Sequence, residues 1–229
     1  MRPFYEQDGI TIFNGDCRDI LPTLARESVD LVLTDPPYGV NLDTSRRTSI
    51  APAVTPHGGY RRPSHWERIA GDRTPFDPLP WLTFPRTILW GANHYADRLP
   101  PSPSWIVWDK REGTTSDTGA DCEMAWTSLG GPARLYRQLW RGMIQRGEEN
   151  GTARLHPTQK PVALMSWCID RARLTHGALI LDPYSGSGTT LIAAYRLGHR
   201  AIGIEVSEAY CEIAANRLRQ QVLPLEAAG

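Results

Sequence analysis

Net charge is the first thing this chain lacks. Twenty-five basic side chains balance twenty-five acidic ones. That excludes a histone-like polycation and an acidic tail protein. Nucleic-acid binding stays open, because local patches matter more than the sum. Cysteine is scarce and scattered: Cys17, Cys122, Cys168 and Cys211 form no CxxC pair. A zinc ribbon and a disulfide scaffold are therefore not expected. No apolar run approaches the roughly 18 residues of a membrane span, and Met1–Glu6 lacks the apolar stretch of a secretory signal. A reducing cytoplasm is the expected location. No ligand cluster with metal spacing is visible, so no metal is expected, and no internal repeat appears. What is present is an ordinary globular composition, with 41% hydrophobic and 22% charged residues in 229. That length suits one domain spanning 1–229. Twenty glycines and nineteen prolines add the expectation of long loops on a compact scaffold.

The hydrophobic pattern alternates between two kinds of element. Ile10–Phe13, Asp30–Thr34, Thr87–Trp90, Trp105–Trp108, Ala178–Leu181 and Ala201–Glu205 read as strands, several of them continuous apolar runs that suit burial on both faces. Asp19–Ala25, Pro161–Arg173, Thr189–Leu197 and Glu208–Arg219 read as helices, the second begun by a proline in its first turn. The fold class expected is α/β, a mostly parallel, doubly wound sheet with right-handed crossovers. Residues 41–80 read as one long loop. Residues 112–155 show weak periodicity and many glycines, and read as a second. Loops this long inside a compact domain are usually functional or mobile.

The turn Asp182-Pro183-Tyr184-Ser185-Gly186-Ser187-Gly188-Thr189-Thr190 joins a strand to a helix. Its glycines permit a tight turn and close approach of a ligand. Three familiar readings fail. Thr189 stands where a Walker loop has lysine. Ser185 stands where a hydrolase elbow has its first glycine. Leu191 stands where a dinucleotide fingerprint has its third. What remains is a nucleoside site without a pyrophosphate. Glu205 ends the next strand, where an acidic residue suits hydrogen bonds to ribose hydroxyls. The plainer alternative is a structural Gly-rich turn with a surface glutamate.

Asp35-Pro36-Pro37-Tyr38 follows another buried strand. The prolines fix the backbone and remove two donors, leaving the carbonyls of Asp35 and Pro36 available. A carboxylate beside a fixed carbonyl offers two acceptors, as an exocyclic NH₂ group requires, and Tyr38 offers a flat face for stacking. The plainer alternative is a Pro-Pro strand exit.

Together with His156-Pro157-Thr158-Gln159-Lys160-Pro161, these segments resemble the β-class DNA amino-methyltransferases, which move a methyl group from S-adenosylmethionine to a base nitrogen. Their tetrapeptide precedes their cofactor loop, as here, and Tyr184 replaces the usual Phe of that loop. The likeness spans about 10–40 and 155–210. It implies the Rossmann-like S-adenosylmethionine-dependent methyltransferase fold, with Asp35, Pro36, Pro37 and Tyr38 catalytic. It implies that Tyr184, Ser185, Gly186, Ser187, Gly188, Thr189 and Thr190 line the cofactor, with Asp35 and Asp182 nearby and Glu205 on the ribose. Thr158, Gln159 and Lys160 are expected to hold the methionine carboxylate or the adjoining loop. Asp16 is expected on the cofactor's adenine amino group, with the Cys17 N–H on a ring nitrogen, although Asp16 also reads as a cap or turn residue. Asp at the first position of the tetrapeptide favours adenine N6 over cytosine N4. The target base must leave the duplex to be reached.

Two basic stretches suit phosphate contacts with double-stranded DNA. Residues 41–75 carry Arg46, Arg47, Arg61, Arg62, Arg68 and Arg73, and residues 133–154 carry Arg134, Arg137, Arg141, Arg146 and Arg154, each stretch net +3. Solvated loops are the plainer reading of both. His57 and His65 read as loop residues, and Trp90, Trp105 and Trp108 as core. No separate recognition domain fits between the motifs. Recognition therefore uses these loops on a short site, or a homodimer supplies a second copy. A solitary methylase, a phage enzyme and one half of a restriction-modification pair all remain open. So do RNA or protein-amide methylation, which usually reverses the motif order, and a non-catalytic DNA-binding module.

Overall fold

A computed structural model describes residues 2–44, 68–113, 120–141, 144–145 and 155–222. The strands are β1 (Tyr5–Gln7), β2 (Ile10–Asn14), β3 (Leu31–Thr34), β4 (Thr87–Trp90), β5 (Trp105–Asp109), β6 (Cys122–Thr127), β7 (Arg134–Arg137), β8 (Trp140–Arg141), β9 (Ile144–Gln145), β10 (Leu179–Asp182) and β11 (Arg200–Glu205). The α-helices are α1 (Cys17–Ile20), α2 (Val162–Arg171), α3 (Thr189–Arg196) and α4 (Glu208–Val222). Nine strands form one sheet in the order β1-β2-β11-β10-β3-β4-β6-β5-β7, while β8 and β9 pair separately. Within the nine-stranded sheet the pairings are parallel except for β1–β2, β4–β6 and β5–β6, and β8–β9 is antiparallel.

The central strands are apolar on both faces because both faces are covered. Leu31 and Leu33 point into one core with Ile88, Trp90 and Ile180, and this core is closed by α2, α3 and α4. Val32, Leu89, Leu179 and Leu181 point the other way, into a core made with Cys17, Ile20, Phe76, Trp81 and Tyr95. Strand alternation dictates this division, and each fully buried Leu or Ile contributes roughly 1.5–3 kcal/mol.

The structure amends three expectations. The helix expected at Asp19–Ala25 is a single turn, Cys17–Ile20, followed by the 3₁₀ turn Leu21–Thr23. Pro22 has no N–H to continue an α-helix. The expected loop 112–155 contains β6, β7, β8 and β9, and β6 and β7 belong to the main sheet. Their sequences mix polar with apolar residues because β7 lies at the sheet edge and β6 begins among polar groups. Strand β1 was not foreseen; Asp8 (φ 50°) and Gly9 (φ 79°) form the left-handed pair that a tight Asp-Gly hairpin demands.

Within 41–80, the described residues carry no helix or strand. Buried Asp72 ties the segment down, accepting from the backbone N–H of Gly39 (2.8 Å) and Leu42 (2.6 Å). Among the described residues no helix is long and apolar enough to cross a membrane. Trp90 and Trp108 are fully buried, as expected of core residues, and Trp105 is half-buried.

Candidate active site

Parallel strands end at one edge, and a crevice outside their carboxyl ends is where open α/β sheets bind ligands. Here β2, β11, β10, β3 and β4 lie side by side. The first four deliver Asp16, Glu205, Tyr184 with Gly186, and Asp35–Tyr38 to a common cavity of about 600 Å³.

On one side of the cavity the Gly-rich turn is shaped by its own backbone. Gly186 (φ 50°) and Gly188 (φ 79°) are left-handed, and Gly188 caps α3. The Glu205 carboxylate accepts from the N–H of Gly186 (2.9 Å) and from that of Ser207 (2.9 Å). Burial nevertheless pushes its pKa up, outweighing those bonds. Asp182 is buried behind the turn, accepting from Thr34 Oγ1 (2.7 Å) and the Tyr184 N–H (3.2 Å), and burial pushes its pKa up to about 6.

The cavity wall comes from Pro183, Tyr184 and Gly186. Ser185, Ser187, Thr189 and Thr190, expected to line a cofactor, are buried outside that lining, as Gly188 is. Ser185 Oγ donates to the Ile204 carbonyl (3.3 Å), and the Ser187 carbonyl accepts from Arg217 (2.6 Å). These bonds of Ser185 and Ser187 hold the turn. Asp16 does two things: it caps α1 through the Arg18 N–H (2.8 Å) and lines the cavity. The hydrogen bond from the Arg18 guanidinium keeps its carboxyl below the usual range. Cys17 is buried at the same wall, and burial pushes its thiol pKa up.

Thr158 and His156 also line the cavity. Burial, then nearby Lys160, lowers the His156 pKa to about 4, so the ring is neutral at pH 7. Its place in the His-Pro-Thr-Gln-Lys-Pro segment was the signal that could have singled it out. Gln159 is buried, and its side chain accepts from the Leu155 N–H (2.8 Å). Lys160, expected at a cofactor carboxylate, faces two carboxylates of the chain itself. Its Nζ lies 2.5 Å from Asp35 Oδ2 and 3.0 Å from Glu123 Oε2, and its side chain is 3% exposed.

Asp35 stands at the end of β3. Oδ2 meets Lys160, and Oδ1 accepts from Tyr38 Oη (2.5 Å). Burial pushes the Asp35 pKa up; Lys160 opposes the shift and Glu123 adds to it. The Tyr38 ring stacks on His94, centroids 4.9 Å apart and planes 13° from parallel. A Cβ at Gly91 would fall inside the Tyr38 ring, 1.9 Å from Cε1, so the loop after β4 needs glycine there. Glu123 escaped the sequence reading. It begins β6, and its Oε1 accepts from Lys110 Nζ at 2.7 Å.

The arginines divide. Arg46, Arg47, Arg61 and Arg62, with His57 and His65, lie outside the described residues, as do the side chain of Arg141 and all of Arg146 and Arg154. Arg137 ends β7 beside Asp109 (3.6 Å), at the catalytic edge. Arg134 begins β7 at the opposite edge, beside a separate cavity of about 700 Å³ that Arg86, Arg171 and Arg173 also line. The stretch expected to act as one basic patch is therefore split by the strand that carries it. Arg68, from the first stretch, lines the catalytic cavity.

The profile of the family described as DNA methylase, N6_N4_Mtase, matches residues 108–216. The Type II methyltransferase M2.DpnII of Streptococcus pneumoniae is 24% identical over 257 aligned positions, covering 96% of this chain and 93% of the relative. Among solved structures, the M1.HpyAVI–SAM complex superposes with a TM-score of 0.54 at 22% identity, covering 91% of this chain and 98% of that one. The PvuII DNA methyltransferase (cytosine-N4-specific) superposes with a TM-score of 0.61 at 16% identity, covering 99% and 91%.

Proposed function

Since the chain belongs to the family of N6 and N4 DNA methylases and takes its methyl group from S-adenosylmethionine, we propose that it acts on the exocyclic N6 of an adenine flipped out of double-stranded DNA. One observation carries this reading: the Asp35 tetrapeptide, the Gly-rich turn at Tyr184 and Gly186, and Glu205 open into the same cavity. An amine on one side and a methyl donor on the other can meet there.

The donor fits the chain's groups. A half-buried carboxylate whose two oxygens are each fixed by a backbone N–H, Glu205, suits a pair of ribose hydroxyls. Asp16, on the same wall, suits an adenine amino group, with the Cys17 N–H for a ring nitrogen. Thr158 and neutral His156 stand near the turn. When bound, S-adenosylmethionine supplies an electrophilic methyl group on a positively charged sulfur.

The chain's part is to make a poor nucleophile competent. An adenine amine delocalises its lone pair into the ring. The Asp35 carboxylate and the Pro36 carbonyl accept its two N–H bonds and favour a more tetrahedral nitrogen. Asp35 is placed to take the proton that the nitrogen sheds after transfer. Tyr38, held by Gly91 and His94, offers its ring to the base. Fixed acceptors and orientation supply most of the acceleration. Arg68 at the cavity and Arg137 at the end of β7 suit phosphate contacts, and the basic sequence around Arg46, Arg47, Arg61 and Arg62 suits them as well.

Glu205→Ala should raise the cofactor's dissociation constant about ten- to a hundredfold, the range for losing hydrogen bonds to a charged group. Calorimetry showing an unchanged constant would remove the ribose role. The activity itself is tested by incubating DNA with the protein and methyl-labelled S-adenosylmethionine, then analysing nucleosides by mass spectrometry. N6-methyladenine is expected. N4-methylcytosine would keep the amine pocket and change the base, and label absent from DNA would overturn the proposed substrate.

A further inference from the structure

Glu123 is 37 residues from Lys160 in sequence and 88 from Asp35, yet the three form a contiguous row with Lys110, in which Lys160 is buried and the others are partly buried. The signs alternate: Asp35 negative, Lys160 positive, Glu123 negative, Lys110 positive. Lys160 has three N–H donors, directed at Asp35 Oδ2, Glu123 Oε2 and, at 3.3 Å, Tyr38 Oη, and its ammonium lies 5.4 Å from the centre of the Trp90 ring. Burial works against charge on Glu123, but Lys160 and Lys110 outweigh it and hold the carboxyl at about 2. Burial likewise works against charge on Lys160, and the two carboxylates reverse it.

This row has a consequence for the reaction proposed above, on which the inference rests. Both oxygens of Asp35 are occupied, one by Lys160 and the other by Tyr38. Each oxygen keeps a further lone pair, but an amine that approaches along the direction now held by Lys160 or Tyr38 must displace that donor. A buried ammonium does not give up its only counter-ion, because an uncompensated charge in a dry site is heavily penalised. Lys160 has a second counter-ion, and Lys110 anchors that one from outside.

We propose that Glu123 is a positioning residue for catalysis, holding Lys160 as its second carboxylate so that Asp35 can exchange Lys160 for the substrate's amine. The exchange is one of hydrogen-bond partners, and no covalent bond is made or broken in it. In the free protein Lys160 is shared between the two carboxylates. With the base in place it leans on Glu123, and Asp35 stays ionised beside the amine.

The test is Glu123→Gln, which keeps shape and removes charge, with Glu123→Asp as the charge-retaining control. Glu123→Gln should lower kcat at least tenfold and leave the KM for S-adenosylmethionine within twofold. Glu123→Asp should recover most of the loss. Removing the Glu123 charge also relieves Asp35 of a repulsion, so the acid limb of kcat moves to lower pH. The other titratable groups near the row are Tyr38, Tyr95 and Asp182 beside Asp35, and His156 and Cys168 beside Lys160; all are unaltered in the variant. Carbon-13 NMR of the Asp35 carboxyl should show the same downward move without any substrate. Wild-type kcat in Glu123→Gln, or an unmoved Asp35 titration, would overturn the role. So would equal losses in both variants accompanied by a raised KM, since that pattern is structural. If Glu123→Gln does not fold, Glu123→Asp decides: near-wild-type kcat supports the role, and a kcat as low as that of an Asp35 variant overturns it. Should the wild-type protein label no DNA, the substrate reading fails while the NMR titration still judges the row.

Discussion

Asp35→Ala should abolish methyl transfer, with a loss of about a thousandfold or more, while leaving the cofactor's dissociation constant nearly unchanged. The size follows from what the residue does. Removing one preorganised hydrogen-bonding group at a reacting centre costs about 10²–10³ in rate, and in the proposed reaction Asp35 serves both as an acceptor for the amine and as the nearest proton acceptor afterwards. The selectivity follows from position. Asp35 extends from β3, whereas the groups that fit the cofactor's ribose and adenine extend from β10, β11 and β2. The variant should also fold, because Lys160 keeps Glu123 as counter-ion at 3.0 Å. Single-turnover transfer of labelled methyl, with calorimetry on the same preparation, checks both halves. Wild-type turnover would show that the amine pocket lies elsewhere.

Lys160→Met should be the most destabilising substitution in the site, by about 3–5 kcal/mol at neutral pH, because it leaves buried charge without its partner. Asp35 loses its only ammonium, and Glu123 keeps Lys110 alone. The deficit should depend on pH with a definite sign. In the variant the Asp35 pKa rises further above its unfolded value, so the folded state binds the proton more tightly and stability is regained as pH falls. In the wild type the Glu123 pKa is depressed to about 2, so the stability that it contributes is present above its unfolded pKa and lost as pH falls towards 2. Acidification therefore closes the gap first through Asp35 and, below the Glu123 unfolded value of 4.5, through Glu123 as well. Urea unfolding at pH 7 and pH 5 measures it; equal gaps at the two pH values would refute the charge argument.

How far the sequence reveals this site depends on how local each part is. Leu31–Thr34 and Leu179–Asp182 are buried on both faces, and such strands announce themselves as unbroken apolar runs. Each is followed directly by its functional turn, so Asp35–Tyr38 and Tyr184–Gly186 are legible from two short windows and the rule that parallel strands end at the ligand. Glu123 has no such window. It sits in Cys-Glu-Met-Ala-Trp-Thr, a mixed string with no clean period, and it reaches the catalytic edge because β6 runs antiparallel and begins where its neighbours end. Spacing cannot state a contact that only sheet order creates. Lys160 was legible as a residue of interest and illegible as to its partner for the same reason. Arg134 and Arg137 show the opposite failure. Three residues of strand are about 10 Å, enough to send two arginines of one basic stretch towards opposite edges of the sheet.

The Glu205 carboxylate bridges the Gly186 and Ser207 amides, which belong to turns following two different strands. It therefore works as a staple as well as lining the cavity. Two loops that would otherwise sample many arrangements are frozen into one before anything binds. The conformational entropy of ordering them, roughly 1–2 kcal/mol per residue fixed, is met during folding and not at the moment of association. A cavity built this way is a mould cast in advance, and affinity in such a mould comes less from the number of contacts than from how little must move to make them.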